Sequence, residues 1–168
     1  VLSSGAKSRY NYDYSQLSDT MNEAYCSLLK QKLDVWQSEH GKFDVIIGCE
    51  TEGIRIGYVL SKLINLPFYI MPKKSTDYSE VVIPAYSVDT HWLIVDDIVT
   101  TGSTYIKAVD FLDIEEKPES ITFACMIKRN TENMDYSAVH GDPDKEQLHV
   151  RDERFDFIDK RLVALHSE

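Results

Sequence analysis

Asp96 and Asp97 stand side by side at the end of the run Trp92-Leu-Ile-Val95, and Ile98-Val-Thr-Thr-Gly-Ser-Thr104 follows at once. The apolar run reads as a buried strand, which places both carboxylates just beyond its carboxyl end. Charge held there is costly unless a partner compensates it. Sugar hydroxyls are suitable partners because carboxylates accept hydrogen bonds, and hydrated Mg²⁺ is another because it prefers oxygen ligands. Gly102 then permits a tight backbone path into a helix, flanked by Thr100, Thr101, Ser103 and Thr104. Amide N–H groups, hydroxyls and the helix dipole would converge on one anion. Either half alone reads as an ordinary acidic turn or a capped helix. Together, a few residues apart, they describe a site for ribose 5-phosphate.

Strands and helices alternate around this segment. Asp44–Gly48 is a short apolar run with β-branched residues at its centre and reads as a buried strand. Ile54–Ile64 has helical spacing, with Pro67 punctuating its exit, and Phe68–Met71 reads as another strand. Trp92–Val95 is a strand, Ser103–Leu112 a helix and Ile121–Ile127 a further strand. This order predicts an α/β fold whose parallel sheet is covered on both faces. In such sheets ligands bind beyond the carboxyl ends of the strands. Upstream, Thr20 and Glu23 form a Thr-x-x-Glu capping pair, and Met21, Ala24, Tyr25, Leu28, Leu29 and Trp36 recur at near-helical spacing before Gly41. The first 17 residues are rich in Ser and Tyr and predict a loop or short strands. Residues 73–89 form a long polar stretch, with a short edge strand possible at 81–83, and loops of this length are often functional lids. Residues 130–168 are charged and less regular, suited to an edge strand and a cover for the site.

At 168 residues the chain fits one domain, divided here into residues 1–17, a core of 18–129 and a C-terminal cover of 130–168. The net charge of −10 opposes a nucleic-acid-coating surface, which needs clustered Lys and Arg. No apolar stretch approaches the roughly 18–20 residues of a membrane span, so no membrane is expected as a partner. Cys26, Cys49 and Cys125 lack metal-site spacing and read as buried free thiols of a reducing compartment, hence a cytoplasmic location. The chain opens at Val1, which leaves room for a preceding segment.

Residues 92–104 resemble the signature of the type I phosphoribosyltransferases, in which four apolar residues precede an acidic pair and a Thr/Gly-rich turn. The resemblance implies a Rossmann-like parallel-sheet core with a small hood from the N-terminal segment. It also implies that Asp96 and Asp97 hold the ribose hydroxyls of 5-phosphoribosyl-1-pyrophosphate (PRPP) and residues 100–104 its 5-phosphate. Mg²⁺ would be held at the same pair, through water or the ribose hydroxyls. Cys49, Glu50, Thr51, Glu52 and Gly53 occupy the place of the family's pyrophosphate loop. Leu2-Ser-Ser-Gly-Ala-Lys-Ser-Arg-Tyr-Asn-Tyr-Asp13 is similar to the hood motif of the orotate enzymes. By that likeness Tyr12 stacks on a base, Lys7 or Arg9 approaches it, and Arg129 matches an Arg that follows the last core strand. The family is commonly homodimeric, so a homodimer is expected.

Departures from the orotate pattern are specific. Ser3 stands where those enzymes usually carry a Lys. In Lys73-Lys74-Ser-Thr-Asp-Tyr-Ser-Glu80 the second Lys and the His of their mobile loop are missing, and Glu50 and Glu52 make the pyrophosphate loop acidic. Negative charge grows on departing pyrophosphate, so Lys73 and Lys74 are the cations expected to assist, with Asp96 at the reacting sugar; a solvated turn is the plainer reading of the two lysines. The expectation is therefore a Mg²⁺-dependent phosphoribosyltransferase acting on orotate or a related pyrimidine. Two alternatives stay open. One is a purine-salvage transferase, with an aromatic from Phe155–Phe157 over the base unless those side chains are simply core. The other is a non-catalytic PRPP-binding regulator.

Overall fold

The computed structural model describes residues 12–49, 51–72, 86–87, 89–100, 102–112, 120–129, 158 and 160–167. Its elements are a 3-10 turn at Tyr14–Gln16, α1 (Asp19–His40), β1 (Val45–Cys49), α2 (Glu52–Ile64), β2 (Phe68–Met71), β3 (Trp92–Val99), α3 (Ser103–Leu112), β4 (Ile121–Lys128) and β5 (Leu162–Ser167). The strands form one sheet in the order β2-β1-β3-β4-β5, and every pairing is parallel. The chain leaves β1 for β2 on one side and returns to β3 on the other. The strand order therefore reverses between β1 and β3, where their carboxyl ends open a crevice.

Alternation along each strand divides the core into two layers. Ile46, Leu93, Val95 and Ala124 pack with Leu29 and Leu33 of α1 and Ile56 and Leu60 of α2. Ile47, Cys49, Ile94, Phe123 and Cys125 pack with Tyr105 and Ala108 of α3. Tyr105 also donates a 2.6 Å hydrogen bond to the Ala124 carbonyl, which pins α3 across β4.

Several expectations require correction. The cap of α1 is Ser18, whose side chain accepts from Met21 N–H, so Thr20 already lies within the helix. Its buried face is Asn22, Cys26, Leu29 and Leu33, while Met21 and Leu28 are exposed. Asn22 is tolerated there because its Oδ1 accepts from the buried Tyr14 hydroxyl at 2.8 Å. The segment ahead of α1 contains a 3-10 turn rather than a plain loop, with Asp13 accepting from Ser15 N–H. Helix α2 begins at Glu52, two residues before the expected Ile54. Strand β1 runs through Cys49 and β3 through Val99, because Asp96, Ile98 and Val99 still pair with Cys125, Ile127 and Lys128. The possible strand at 81–83 lies outside the described residues. Within the C-terminal stretch, residues 162–167 form the edge strand β5. All three cysteines are free and buried. Among the described residues no helix is long and apolar enough to cross a membrane.

Gly53 sets the distance between α2 and β3. A Cβ there would meet the Val95 carbonyl oxygen at 2.5 Å and the Asp96 Cα at 3.1 Å. Gly53→Ala is therefore expected to destabilise the domain by about 1–3 kcal/mol, read as a lowered urea midpoint at unchanged slope.

Candidate functional site

The crevice at the β1/β3 switch collects the candidate site residues. Asp96 shares the register of Ile94 and lies toward α3, whereas Asp97 shares that of Val95 and lies toward α2. Both belong to the last half of β3 rather than following it. Backbone N–H groups serve the carboxylates in turn: Asp97 N–H donates to Asp96 Oδ1, and Ile98 N–H to Asp97 Oδ1, each at 2.9 Å. Thr104 at the start of α3 adds a hydrogen bond to Asp96.

No described Lys or Arg pairs with either carboxylate. Asp96 is only 7% exposed. Burial, and next the charge of Asp97, hold its carboxyl well above the ordinary 3.8. Burial also raises Asp97, with the Glu52 charge adding to it and hydrogen bonds from Asp96 and the Ile98 N–H opposing it. An all-oxygen pair without a compensating cation suits Mg²⁺ and sugar hydroxyls. Among the described residues no group of three or more His, Cys, Asp or Glu could hold a metal. A Mg²⁺ ion at this pair would thus need further oxygens from water or the bound ligand.

The turn after β3 is built for close approach. Gly102 has φ +75°, a left-handed conformation that a side chain would strain, and its carbonyl accepts the first helical bond of α3, from Ile106 N–H at 3.1 Å. Thr100, Ser103 and Thr104 flank it half-buried, whereas Thr101 lies outside the described residues. Helix α3 has no acidic residue in its first turn, so no side-chain charge of that turn offsets the dipole at its amino end.

Across the crevice, Thr51 precedes α2 and makes no side-chain cap hydrogen bond. Of the first-turn amides of α2, Ile54 N–H donates to the Thr51 carbonyl at 3.3 Å, and the helix ladder itself begins only beyond this turn. Cys49 is a fully buried strand residue whose thiol is pushed well above its ordinary value by burial and then by the two aspartates. It contributes wall and no reactive thiolate. Glu52 does not stand free in the loop: Arg55 Nη1 donates to its Oε2 at 3.0 Å. Glu50 lies outside the described residues.

A third group lies at the carboxyl end of β4, beside the end of β3. Arg129 follows β4 and its N–H donates to the Val99 carbonyl at 2.9 Å. Its side chain is 3% exposed, and the guanidinium lies over the Tyr12 ring at 5.1 Å. Its Nε and Nη1 are buried without a hydrogen-bond partner. Buried guanidinium donors left unpaired are costly, which marks a place prepared for an anionic or acceptor-rich group. Lys7, Lys73, Lys74 and Phe155–Phe157 lie outside the described residues. Sequence reasoning passed over Arg55 and Tyr14. The i,i+3 spacing of Glu52 and Arg55 was a legible signal; the reach of Arg55 to residues ahead of α1 was not.

The phosphoribosyl transferase domain model matches residues 14–147. The chain belongs to that family. An orotate phosphoribosyltransferase of Sulfurisphaera tokodaii is 31% identical over 116 residues, 68% of this chain. The chain spans 58% of that relative's length. Among solved structures, the orotate phosphoribosyltransferase of Aeropyrum pernix superposes with a TM-score of 0.62 over 99% of this chain and 84% of that one, at 20% identity. An APRTase of Giardia lamblia complexed with 9-deazaadenine gives 0.58 over 89% and 82%, at 16% identity. At those identities the two structures speak for the fold alone. The expected parallel-sheet phosphoribosyltransferase core is the fold of this chain.

The acidic pair gives the family's fold a pH signature here. Both aspartates have folded-state values above 3.8. Above that pH the folded chain still holds protons that the unfolded chain has released, so stability falls as pH rises through the folded values. Thermal midpoints of the ligand-free domain should therefore decline as pH rises from 3.8 through the raised values of the pair. Asp96→Asn with Asp97→Asn should flatten that decline and raise the midpoint at neutral pH.

Proposed function

We propose that this domain transfers the 5-phosphoribosyl group of PRPP to a ring nitrogen of orotate and releases pyrophosphate. The ribosyl half rests on the β3–α3 junction, where a carboxylate pair with no cation partner among the described residues precedes the Gly102 turn and the start of α3. In this reading Asp96 and Asp97 receive the ribose hydroxyls, residues 100–104 the 5-phosphate, and residues 49–53 the pyrophosphate. The base nitrogen forms its bond to C1 as the bond from C1 to the pyrophosphate oxygen breaks. That electron pair leaves with pyrophosphate, and the ring proton of the base passes to solvent or to the departing pyrophosphate. Mg²⁺, when bound, neutralises part of the charge that grows on the leaving group. The α2 amides face the same charge, and Lys73 and Lys74 supply further cations to it. The assembly proposed is a homodimer.

The acceptor assignment is carried by one observation, the buried Arg129 guanidinium with Nε and Nη1 unpaired beside Tyr12. A planar guanidinium matches a carboxylate in fork geometry. Orotate brings a ring carboxylate, while adenine and hypoxanthine have none. Tyr12 supplies the aromatic face for the ring.

The deciding experiment offers PRPP and Mg²⁺ with orotate, uracil, adenine or hypoxanthine singly and follows pyrophosphate. Release is expected with orotate. Release with a purine alone would replace the acceptor, and PRPP binding without release from any base would make the domain a regulator. Asp96→Asn with Asp97→Asn should abolish calorimetric PRPP binding; retained binding would overturn the ribose site. Arg129→Ala should lower kcat/KM for orotate by about 10²–10³-fold while leaving PRPP affinity and the thermal midpoint near wild type.

A further inference from the structure

Arg55 makes more ties than a helix-surface arginine needs. From the first turn of α2 its Nη1 donates to Glu52 Oε2 at 3.0 Å and, at the 3.5 Å limit, to the Tyr14 carbonyl. Its Nη2 donates to the Leu17 carbonyl at 2.9 Å and to Asp19 Oδ1 at 3.2 Å. The Asp19 side chain is 94% exposed, so that pair adds little. Glu52 and Arg55 are 17% and 29% exposed, and their bond is the sheltered one.

The two ends of this fork lie in different halves of the site. One end is Glu52, inside the proposed pyrophosphate loop and close enough for its charge to reach Asp97. The other is the turn at Tyr14–Gln16, two residues beyond Tyr12, whose ring lies against Arg129. Gln16 and Leu17 N–H groups close that turn onto the Asp13 and Tyr14 carbonyls. An unpaired Glu52 carboxylate at the amino end of α2 would compete with an anionic ligand for the same amides. A turn without its Leu17 tie would hold Tyr12 less firmly.

We propose that Arg55 is a positioning residue that couples the two halves of the site: it holds the Glu52 carboxylate out of the anion-binding loop and ties the Tyr12-bearing segment to α2. This inference rests on the phosphoribosyl-transfer reading for what each half binds. Its geometry does not. Arg55 touches no reacting atom; it acts on PRPP through Glu52 and on the base through the turn.

The test separates these actions in the full chain with Mg²⁺, PRPP and orotate. Arg55→Gln should raise KM for PRPP and for orotate by about fivefold or more each, with kcat changed less than either. Adding Glu52→Gln to Arg55→Gln should return the PRPP value toward wild type and leave the orotate value raised, because only the charge is removed. Arg55→Lys keeps a cation beside Glu52 without the fork, so it should spare PRPP and raise orotate. Hydrogen exchange at the Gln16 and Leu17 amides should quicken in both Arg55 variants. Wild-type values of both KM terms in Arg55→Gln, or a double variant that fails to restore PRPP, would overturn the proposal. A wild-type chain that releases no pyrophosphate with any base would refute the transfer reading instead. The proposal would then stand or fall on amide exchange and on calorimetric PRPP affinity in the same variants.

Discussion

Two neighbouring carboxylates at the end of β3, one buried and one half-buried, with no cation partner among the described residues, are the constraint around which the site is built. Their backbone is satisfied, because β3 keeps its ladder to β4 as far as Val99 and Lys128. Among the described residues only the side chains are short of compensation. The sheet and its two packed layers sustain that local cost, as a stable scaffold can at a functional site. The same demand shapes the neighbours. Gly53 allows α2 to approach the backbone of the pair, and Gly102 turns the chain before α3 begins.

Much of the scaffold was legible because short β-branched runs between turn residues have few other ways to fold. Phe68–Met71 and Ser103–Leu112 have the bounds that their patterns predict. The extent of β3 was not legible. Asp is depleted in strands, so propensity ends the strand at Val95, whereas pairing with Cys125, Ile127 and Lys128 carries it onward. Helix α1 shows the same limit from the other side. A polar Asn22 on its buried face can be understood only once the Tyr14 hydroxyl, eight residues upstream, is in place to donate to it.

The site itself was legible in its local parts and hidden in its long-range ones. The acidic pair and the Gly102 turn are contiguous in sequence, so their types and spacing carried their meaning. Arg129 and Tyr12 are far apart along the chain, and nothing local shows a guanidinium that is buried, stacked on a ring and unpaired. Glu52 was legible as an acidic intruder in the loop, and its i,i+3 spacing to Arg55 was the local signal that its carboxylate is engaged. Its bond to Arg55 is a helix-spaced pair, yet its significance comes from the other ties of Arg55, at Leu17 and Tyr14.

These features bear on how a chain of net charge −10 can present a site for a highly anionic ligand. Surface lysines in number are not required. Parallel pairing of β1 with β3 brings the helices that follow them, α2 and α3, to begin at the same end of the sheet, on its opposite faces. Two helix amino ends thus flank one crevice, and their partial charges are fixed by the backbone whatever the side chains carry. What an acidic sequence must still manage is its own carboxylates. Asp96 and Asp97 are sheltered by burial, which raises both above the ordinary carboxylate value. Glu52 is handled differently, by a cation three residues along the same helix. Among the described residues the local field of the crevice is therefore set by helix ends, burial, Arg55 and Arg129, while the net charge of the chain describes only its surroundings.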